Sequence, residues 1–536
     1  MDTPATMIAV KKGSPQSAPL IRTCRLRSKF SYALTMLGLA MTFFYNGYCS
    51  VAYGTISDNV TALLEWSDSQ ETLYSTIISA MIASGQILGS IIASPLSHRL
   101  GRQNLVIVMI VVAYLGLALT AIEHLVPMII GRLISNLSAG VFLSISPIIA
   151  KELSPKEYDP LPNTLLVSFI YVGNLFGFVL GFGLPNPEPE QNGYWRFASV
   201  AGSMPLAIGG LILLLHTKSD SGKFIYSRYH NEEKARAALA RIYKKEEVEK
   251  ELETIKEENK LVKPKISFKQ LCRTHGKQIA LGYAISLSQM CSGISFTGIY
   301  CNMILQRAET DGGATDDDAR DTATLFSTIA GIAQLVGCIG SFYWMKACRR
   351  KPLYLVLFGL GYIVMGLYWI FGFSGLFSMQ KYCVVGYYLI IGAGLAAFGF
   401  TYLPAITIDS AFGIVMAGYS TLRLIDVIIF PLIAKSALGI QGTILIYWII
   451  GMLANAYFMI FSVETKGVSE ADIYHHFNCK ASETHDHHRM HEMSHETDHD
   501  DHHGDHNDHE DNGDHKDNYF SGHDLEHFEI QFPQHA

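Results

Sequence analysis

Charged residues are scarce in this sequence, and its cysteines form no framework. Only 17% of the 536 residues are Asp, Glu, Lys or Arg, whereas 49% are hydrophobic, and the mean hydropathy is +0.21. A soluble chain of this length normally carries more charge and divides into several domains. The nine cysteines include no CxxC pair, so no disulfide scaffold is predicted. The composition therefore disfavours a soluble enzyme and favours a membrane protein.

Motifs of catalysis and targeting are also lacking. The sequence has no phosphate-binding glycine loop, no nucleophile elbow and no intramembrane metal motif, so neither an enzyme nor a cofactor is predicted. No histidine lies in the middle of an apolar segment, which counts against a metal carrier. The first apolar run is long and follows a basic leader, so no cleavable signal peptide is expected.

Twelve apolar segments are long enough to cross a bilayer, which takes about 20 residues. Six of them precede a polar stretch and six follow it. The pattern predicts an all-α membrane protein with twelve transmembrane helices in two six-helix halves. The expected spans are 32–57, 71–94, 103–122, 126–150, 162–185, 194–215, 277–304, 323–346, 352–373, 382–408, 412–436 and 441–462.

Charge divides the chain into five segments and predicts its orientation. Lys and Arg gather in the leader, in alternate loops and in the linker, so both termini and the linker are expected in the cytosol, with the plasma membrane as the location. Acidic and basic residues recur at helical spacing in the linker, where Asn231 is predicted to cap a helix. The segments are a basic leader at 1–30, the first half at 31–217, a helical linker at 218–276, the second half at 277–465 and a His/Asp-rich tail at 466–536.

Polar side chains inside the spans are the first candidates for a solute site, because burying them in lipid is costly. Arg423 and Asp426 lie three residues apart in span eleven and therefore share a helix face. Two interpretations stay open for this pair: an ion pair that locks two helices, or a contact with a polar or charged solute. The other candidates are Asn46, Arg132, Gln289, Ser295 and Gln334.

Six short motifs occur in order on the predicted spans and loops. In that order they resemble the sugar porter family of the major facilitator superfamily, close to the facilitative glucose and hexose transporters, over about residues 30–475. The resemblance implies the twelve-helix fold and alternating access to a solute site between the halves. The motifs are R-L-G-R at Arg99–Arg102, Gly131–Arg132, P-x-x-x-x-E-x-x-P at Pro147–Pro155, Ser221–Phe224, Q-M-C-S-G-I-S at Gln289–Ser295 and E-T-K-G at Glu464–Gly467.

The resemblance also implies a set of sugar-binding residues. Several family positions differ here: Met290 replaces a second glutamine, Val167 replaces a glutamine on span five, and Thr421 and Leu422 replace an asparagine and a tryptophan. A pocket with fewer hydroxyl partners binds a hexose more weakly or binds another solute. The substrate-binding residues expected from the resemblance are Gln289, Ser295, Gln334, Asn46, Tyr300 and Tyr402.

Energetics and gating are further implications of the resemblance. Proton-coupled sugar porters carry an aspartate on span one, where this chain has Asn46, and an asparagine does not titrate at physiological pH. We therefore expect facilitated diffusion, with a proton-coupled or charged-solute carrier as the alternative. The charge network expected at the gate consists of Arg99, Arg102, Arg132, Glu152, Arg349, Arg350 and Asp409.

The tail beyond about Cys479 interleaves His with Asp and is expected to be disordered. Imidazoles and carboxylates suit zinc and other divalent ions, but no spacing of four ligands stands out, so we expect loose binding and no defined metal site. Nucleic acid is not expected as a partner. A metal carrier and a non-transporting receptor on the same fold remain weaker alternatives. The histidines for loose binding are His485, His487, His488, His502 and His503.

Overall fold

The computed structural model is built from helices throughout its described part. It describes residues 29–468 and 477, apart from 156–160, 186–192, 217–219, 262–267, 408, 435, 437 and 467. The helices are α1 Lys29–Leu63, α2 Asp68–Leu100, α3 Arg102–Thr120, α4 Leu125–Leu153, α5 Leu161–Leu180, α6 Tyr194–Val200, α7 Ser203–His216, α8 Gly222–Tyr229, α9 Glu232–Ile242, α10 Lys245–Leu261, α11 Phe268–Thr274, α12 Gly276–Cys291, α13 Ile294–Asp311, α14 Asp316–Ala347, α15 Arg350–Phe373, α16 Phe377–Ile390, α17 Ala396–Ile406, α18 Asp409–Ala434 and α19 Gly439–Phe461.

Eleven of the twelve predicted membrane-spanning helices are confirmed in the described ranges. Eleven spans in the described ranges are long and apolar enough to cross a bilayer, and three of them join two consecutive helices. The first predicted span forms the 35-residue helix α1, which packs against α5 and α7. Helices α1–α7 make up the first half, α12–α19 the second, and α8–α11 lie between them in sequence.

Small residues set the close packing of the first half. The glycine stripe of span five faces α1: a Cβ on Gly173 would meet the Phe44 backbone, and one on Gly177 would meet Val51. A stripe on α2 faces α4 in the same way, with Gly89 against the Leu137 backbone. Helices in lipid gain no hydrophobic free energy by associating, so close backbone packing of this kind stabilises the bundle.

Two spans of the second half are broken, which the apolar pattern does not reveal. The span predicted at 277–304 divides into α12 and α13 at Gly293, whose φ of 111° is accessible mainly to glycine. The span predicted at 382–408 contains a π-helical turn, Ile391–Leu395, in which Gly394 has a φ of 127°. Both breaks expose backbone groups inside the bundle to side chains from neighbouring helices.

The linker helices have a small core of their own. Asn231 caps α9 as predicted, because its side chain accepts a hydrogen bond from the Lys234 amide at 2.9 Å. Helices α8, α9 and α10 bury an apolar cluster that includes Leu239 and Leu252. We call the end of the bundle where these helices join α2–α4 the linker end, and the opposite end the far end.

Candidate functional site

Two glutamine amides flank the π-helical turn Ile391–Leu395. Gln289 on α12 donates to the Leu395 carbonyl at 3.1 Å, and Gly392 packs against the backbone of Gln334 on α14. The Gln334 side chain accepts from Asn174 of the first half at 3.4 Å. Gln289 and Gln334 are 4% and 3% exposed, so in this state the halves enclose both amides. The arrangement brings donors and acceptors from both halves to one level of the bundle.

Three other predicted solute contacts lie on α1 and α13. Asn46 on α1 is buried, and its side-chain nitrogen has no hydrogen-bond partner. Ser295, in the first turn of α13, also has a buried hydroxyl without a partner. Tyr300 donates to the Val427 carbonyl at 2.8 Å and stacks on Phe430. Unsatisfied buried polar atoms are rare, so among the predicted solute contacts Asn46 and Ser295 each have an atom left for a solute.

Arg423 and Asp426 lie in the interior, but they do not pair with each other. Arg423 donates to Ser50 on α1 at 2.9 Å and to Gln86 on α2 at 3.1 Å. Asp426 is 2% exposed, and neither of its carboxylate oxygens makes a hydrogen bond. The hydroxyls of Ser295 and Tyr447 lie beside it. Of the two interpretations left open by the sequence, a locking ion pair between these two side chains is therefore not the arrangement in this state.

Arg132 on α4 is satisfied inside the first half. It donates to the Cys49 carbonyl of α1 at 3.2 Å, and its guanidinium lies 5.3 Å from the centre of the Tyr53 ring. Both are neutral partners, and position 46 supplies an amide instead of a carboxylate. The contacts of Arg132 hold α4 against α1 without a titratable acid.

At the linker end, Arg102 and Glu152, two members of the expected charge network, form an ion pair. Their side chains approach to 2.5 Å and are 11% and 8% exposed. The Ser221 hydroxyl, at the start of α8, donates to the other Glu152 oxygen at 2.5 Å. Arg102 also lies over the Phe224 ring. These contacts tie α3, α4 and the first linker helix together.

A second cluster at the linker end surrounds Glu464, just after α19. Its carboxylate accepts from the backbone amides of Arg350 at 3.0 Å and Lys351 at 3.1 Å, and so caps the start of α15. Burial acts to raise the pKa of Glu464, but four backbone N–H donors outweigh it and lower that pKa from its ordinary value. The Arg350 side chain donates to Thr465 at 3.0 Å.

The remaining predicted residues lie apart from these clusters. The side chains of Arg99 and Arg349 are exposed. Tyr402 exchanges hydrogen bonds with the Val463 backbone near the linker end, and so does not join the glutamine site. Asp409 begins α18, but its side chain lies outside the described residues, as do the tail histidines His485, His487, His488, His502 and His503. In the described ranges, no cluster of three or more His, Cys, Asp or Glu is placed to hold a metal ion.

The halves meet on both sides of the glutamine site. Towards the linker end, Asn163 of α5 donates to the Phe400 carbonyl of α17 at 3.2 Å. Towards the far end, a Cβ on Gly54 of α1 would meet the Ile299 carbonyl of α13 at 2.6 Å. We call this arrangement, in which the described halves touch on both sides of the glutamine site, the closed state.

Four participating residues were not among the predicted site residues. Ser50 and Gln86 are ordinary polar residues in apolar helices, and only their contact with Arg423 marks them. Asn174 follows Gly173 of the span-five glycine stripe in sequence, and that stripe drew attention to packing instead. Glu464 belongs to the E-T-K-G motif, so the sequence held a signal for it.

Comparisons with known proteins agree with this architecture. The family model described as "Sugar (and other) transporter" matches residues 32–477. The chain is 26% identical over 410 residues to the glucose transporter GlcP of Staphylococcus epidermidis, covering 74% of this chain and 87% of that protein. It is 27% identical over 329 residues to facilitated glucose transporter member 3 of Gallus gallus, covering 59% of this chain and 60% of the relative.

Solved structures support the same fold. The proton:xylose symporter XylE, bound to 6-bromo-6-deoxy-D-glucose, matches with a TM-score of 0.70 at 18% identity, over 83% of this chain and 98% of that chain. A partially occluded inward-open form of the xylose transporter XylE from E. coli matches with a TM-score of 0.65 at 18% identity, over 82% and 100%. The expectations of a major facilitator fold and of a transporter are confirmed. The chain belongs to the sugar (and other) transporter family, the sugar porters of the major facilitator superfamily, and is a multi-pass membrane transporter and not an enzyme.

Proposed function

We propose that the chain carries a hexose or a related sugar across a membrane by alternating access between its two halves. The observation that carries the proposal is the pair of buried amides, Gln289 and Gln334, beside the π-helical turn, with Asn174 reaching Gln334 from the other half. Side-chain amides both donate and accept, which matches the hydroxyls of a sugar. Relatives named as transporters of glucose and inositol support this class of solute.

For the mode of transport, we propose facilitated diffusion. A proton-coupled mechanism that uses span one needs a carboxylate beside Arg132, and this chain has Asn46 on that span. The Arg132 guanidinium instead meets the Cys49 carbonyl and the Tyr53 ring. Since neither partner titrates near neutral pH, Arg132 has no route to a proton-dependent contact on α1.

A second candidate is a carrier of another small organic solute, charged or proton-coupled, on the same fold. The specific observation in its favour is the Arg423 and Asp426 side chains, buried where α18 meets α1 and α2. Arg423 could bind an anionic group of a solute, and Asp426 could bind a cationic group. Competition for glucose uptake by sugar acids and amino sugars distinguishes the two candidates.

For topology and location, we propose cytosolic termini and linker in the plasma membrane. The linker end carries Arg99, Arg102, Arg349 and Arg350, as the positive-inside pattern requires. The far end carries acidic residues, among them Asp58 and the run Asp316–Asp318 at the start of α14. Antibody access to epitope tags at either terminus, with and without permeabilisation, tests this orientation.

The test of function is uptake of labelled glucose by transporter-null cells that express the full chain, with and without a protonophore. Saturable uptake whose rate does not change when the protonophore is added supports a sugar uniporter. Uptake that collapses with the protonophore contradicts facilitated diffusion but keeps the sugar. If protein shown to be at the surface takes up neither glucose, xylose nor inositol, the sugar proposal is wrong.

A further inference from the structure

Asp426 is the unexplained acid of the membrane interior. It is 2% exposed, lies in the middle of α18, and makes no hydrogen bond through either oxygen. Its polar neighbours on α13 and α19 are the uncharged hydroxyls of Ser295 and Tyr447. An ionised carboxylate buried without a cationic partner is so costly that such groups normally bind a proton or a cation. The side chain that should neutralise it, Arg423, lies one turn away and donates elsewhere.

The side chains packed around Asp426 leave room for a proton but not for a larger cation. Phe430, one turn further along α18, stacks on Phe296 at 4.5 Å and on Tyr300 at 5.5 Å. Tyr447 of α19 packs edge-on against Phe296 at 5.3 Å. Because these rings contact one another beside the carboxylate, an organic cation would have to displace them, whereas a proton needs no extra volume.

The titratable groups around Asp426 come from four helices. They are Cys291 of α12, Tyr300 of α13, Tyr419 and Arg423 of α18, and Tyr447 of α19. At neutral pH the thiol and the phenols are uncharged in their ordinary range, so Arg423 is the one charged group in this set. The charge state of Asp426 therefore depends on where Arg423 places its guanidinium.

Arg423 cannot keep its present partners when the halves separate. Ser50 and Gln86 belong to the first half, whereas Arg423 belongs to the second. Any opening that parts α18 from α1 and α2 removes both acceptors from a buried guanidinium, and an uncompensated buried charge is strongly unfavourable. Asp426 lies three residues along the same helix face, within reach of a new ion pair.

We propose that Asp426 is a proton-binding site of the transport cycle. In the closed state it holds a proton while Arg423 reaches across to Ser50 and Gln86. On opening, Arg423 turns to Asp426, and the proton leaves the carboxyl for water in the opened cavity. On closing, the carboxylate takes a proton back from that water as Arg423 returns to the first half.

This site goes beyond the proposed function and does not depend on which solute is carried. Each passage through the closed state, loaded or empty, carries one proton with it, so over a full cycle one proton crosses in each direction and no net transfer results. The sugar then still moves downhill, as facilitated diffusion requires, but its rate depends on pH. The closed state binds one proton more than the open state, so lowering the pH stabilises the closed state.

The test needs no solute. Infrared difference spectra of the purified full-length chain, titrated with pH and repeated in D2O, detect the carbonyl stretch of a protonated buried carboxyl. We expect one such band in the wild type at neutral pH, and its loss in Asp426→Asn. Asp317→Asn, the same change at an exposed acid of α14, should leave the band unchanged. A wild type without the band, or an Asp426→Asn variant that keeps it, overturns the proposal.

A second variant tests the exchange of partners. In Arg423→Gln the ion pair cannot form, so the Asp426 band should persist to higher pH than in the wild type. If Arg423→Gln fails to fold, Asp426→Glu is used instead, and it should keep a protonated band at a shifted frequency. A band that titrates identically with and without Arg423, or that Asp426→Glu lacks, contradicts the mechanism.

Transport assays separate this inference from the proposed function. With equal pH on both sides of proteoliposomes, wild-type glucose exchange should change with pH by up to about tenfold per unit, and Asp426→Asn exchange should change little. Equal pH dependence in both proteins overturns the role of Asp426. Glucose accumulation driven by a pH gradient, if lost in Asp426→Asn, supports the proton site while contradicting facilitated diffusion.

Discussion

Two of the buried arginines, Arg132 and Arg423, differ in where their partners lie. Arg132 finds its partners, the Cys49 carbonyl and the Tyr53 ring, within its own half. Arg423 finds its partners, Ser50 and Gln86, in the opposite half. When the halves move as units, the contacts of Arg132 survive and those of Arg423 break. The difference shows that burial of a charge does not reveal its role, whereas the half that supplies its partners does.

The largest effect is expected from Arg423→Ala. The change leaves the buried side chains of Ser50 and Gln86 without their hydrogen-bond donor, and it removes the one charged neighbour of Asp426. Each hydrogen bond to a charged group is worth about 1.5–3 kcal/mol, so glucose uptake should fall by more than about tenfold. Arg423→Lys, which keeps the charge, serves as the matched control and should recover part of the rate. Uptake within about twofold of wild type in Arg423→Ala would remove the distinction between the two arginines.

A smaller effect is expected from Arg132→Ala. Its contacts join α1 to α4 and do not touch the glutamine site, so the maximal rate should fall by about fivefold while KM changes little. Kinetics of glucose uptake, normalised to surface protein, measure both quantities. A normal maximal rate would mean that the joint between α1 and α4 plays no part in cycling.

Gln289→Ala separates solute binding from cycling. Loss of one amide that reaches a sugar hydroxyl costs about 1 kcal/mol, so KM should rise by about fivefold at an unchanged expression level. Tyr402→Phe is the companion change, because its hydroxyl bonds the Val463 backbone away from the glutamine site. KM should stay the same in Tyr402→Phe. An unchanged KM in Gln289→Ala would move the solute site elsewhere.

The smallest effect concerns Glu464, outside the membrane. Because its pKa is lowered in the folded chain, its contribution to stability is present above the ordinary glutamate pKa of about 4.3 and is lost as the pH falls through the folded value. Loss of a helix cap costs about 1 kcal/mol. Glu464→Gln should therefore lower the Tm by about 1–2 °C at neutral pH, with the difference shrinking in acid. A pH-independent difference would contradict the carboxylate's role.

The sequence predicts the membrane-spanning helices and some of their close contacts. Glycine spacing in span five predicts a close contact, and the structure confirms it between Gly173 and α1. The sequence also predicts the Asn231 cap, because capping acts over a short range. These features depend on local chemistry, which the sequence carries directly. Arg102 and Glu152 were both marked by motifs, but their pairing was not predicted.

Contacts between distant residues and irregular backbone conformations became visible only in the structure. The contact between Arg423 and Ser50 joins residues 373 positions apart, and nothing in either helix marks the other. The breaks at Gly293 and Gly394 depend on positive φ values, and most other glycines of the described spans have no such conformation. The acceptor of Gln289 is a backbone carbonyl beside a π turn, and backbone carbonyls occur at every position. Long-range partners and backbone irregularity were therefore beyond prediction from the sequence.

Counterflow is the most direct test of an alternating-access sugar carrier. Proteoliposomes containing the full chain are loaded with unlabelled glucose and diluted into a trace of labelled glucose, without any pH gradient. The account predicts a transient accumulation of label above its external concentration, because one site serves both sides in turn. Correctly inserted protein that gives no transient with glucose, xylose or inositol would contradict it.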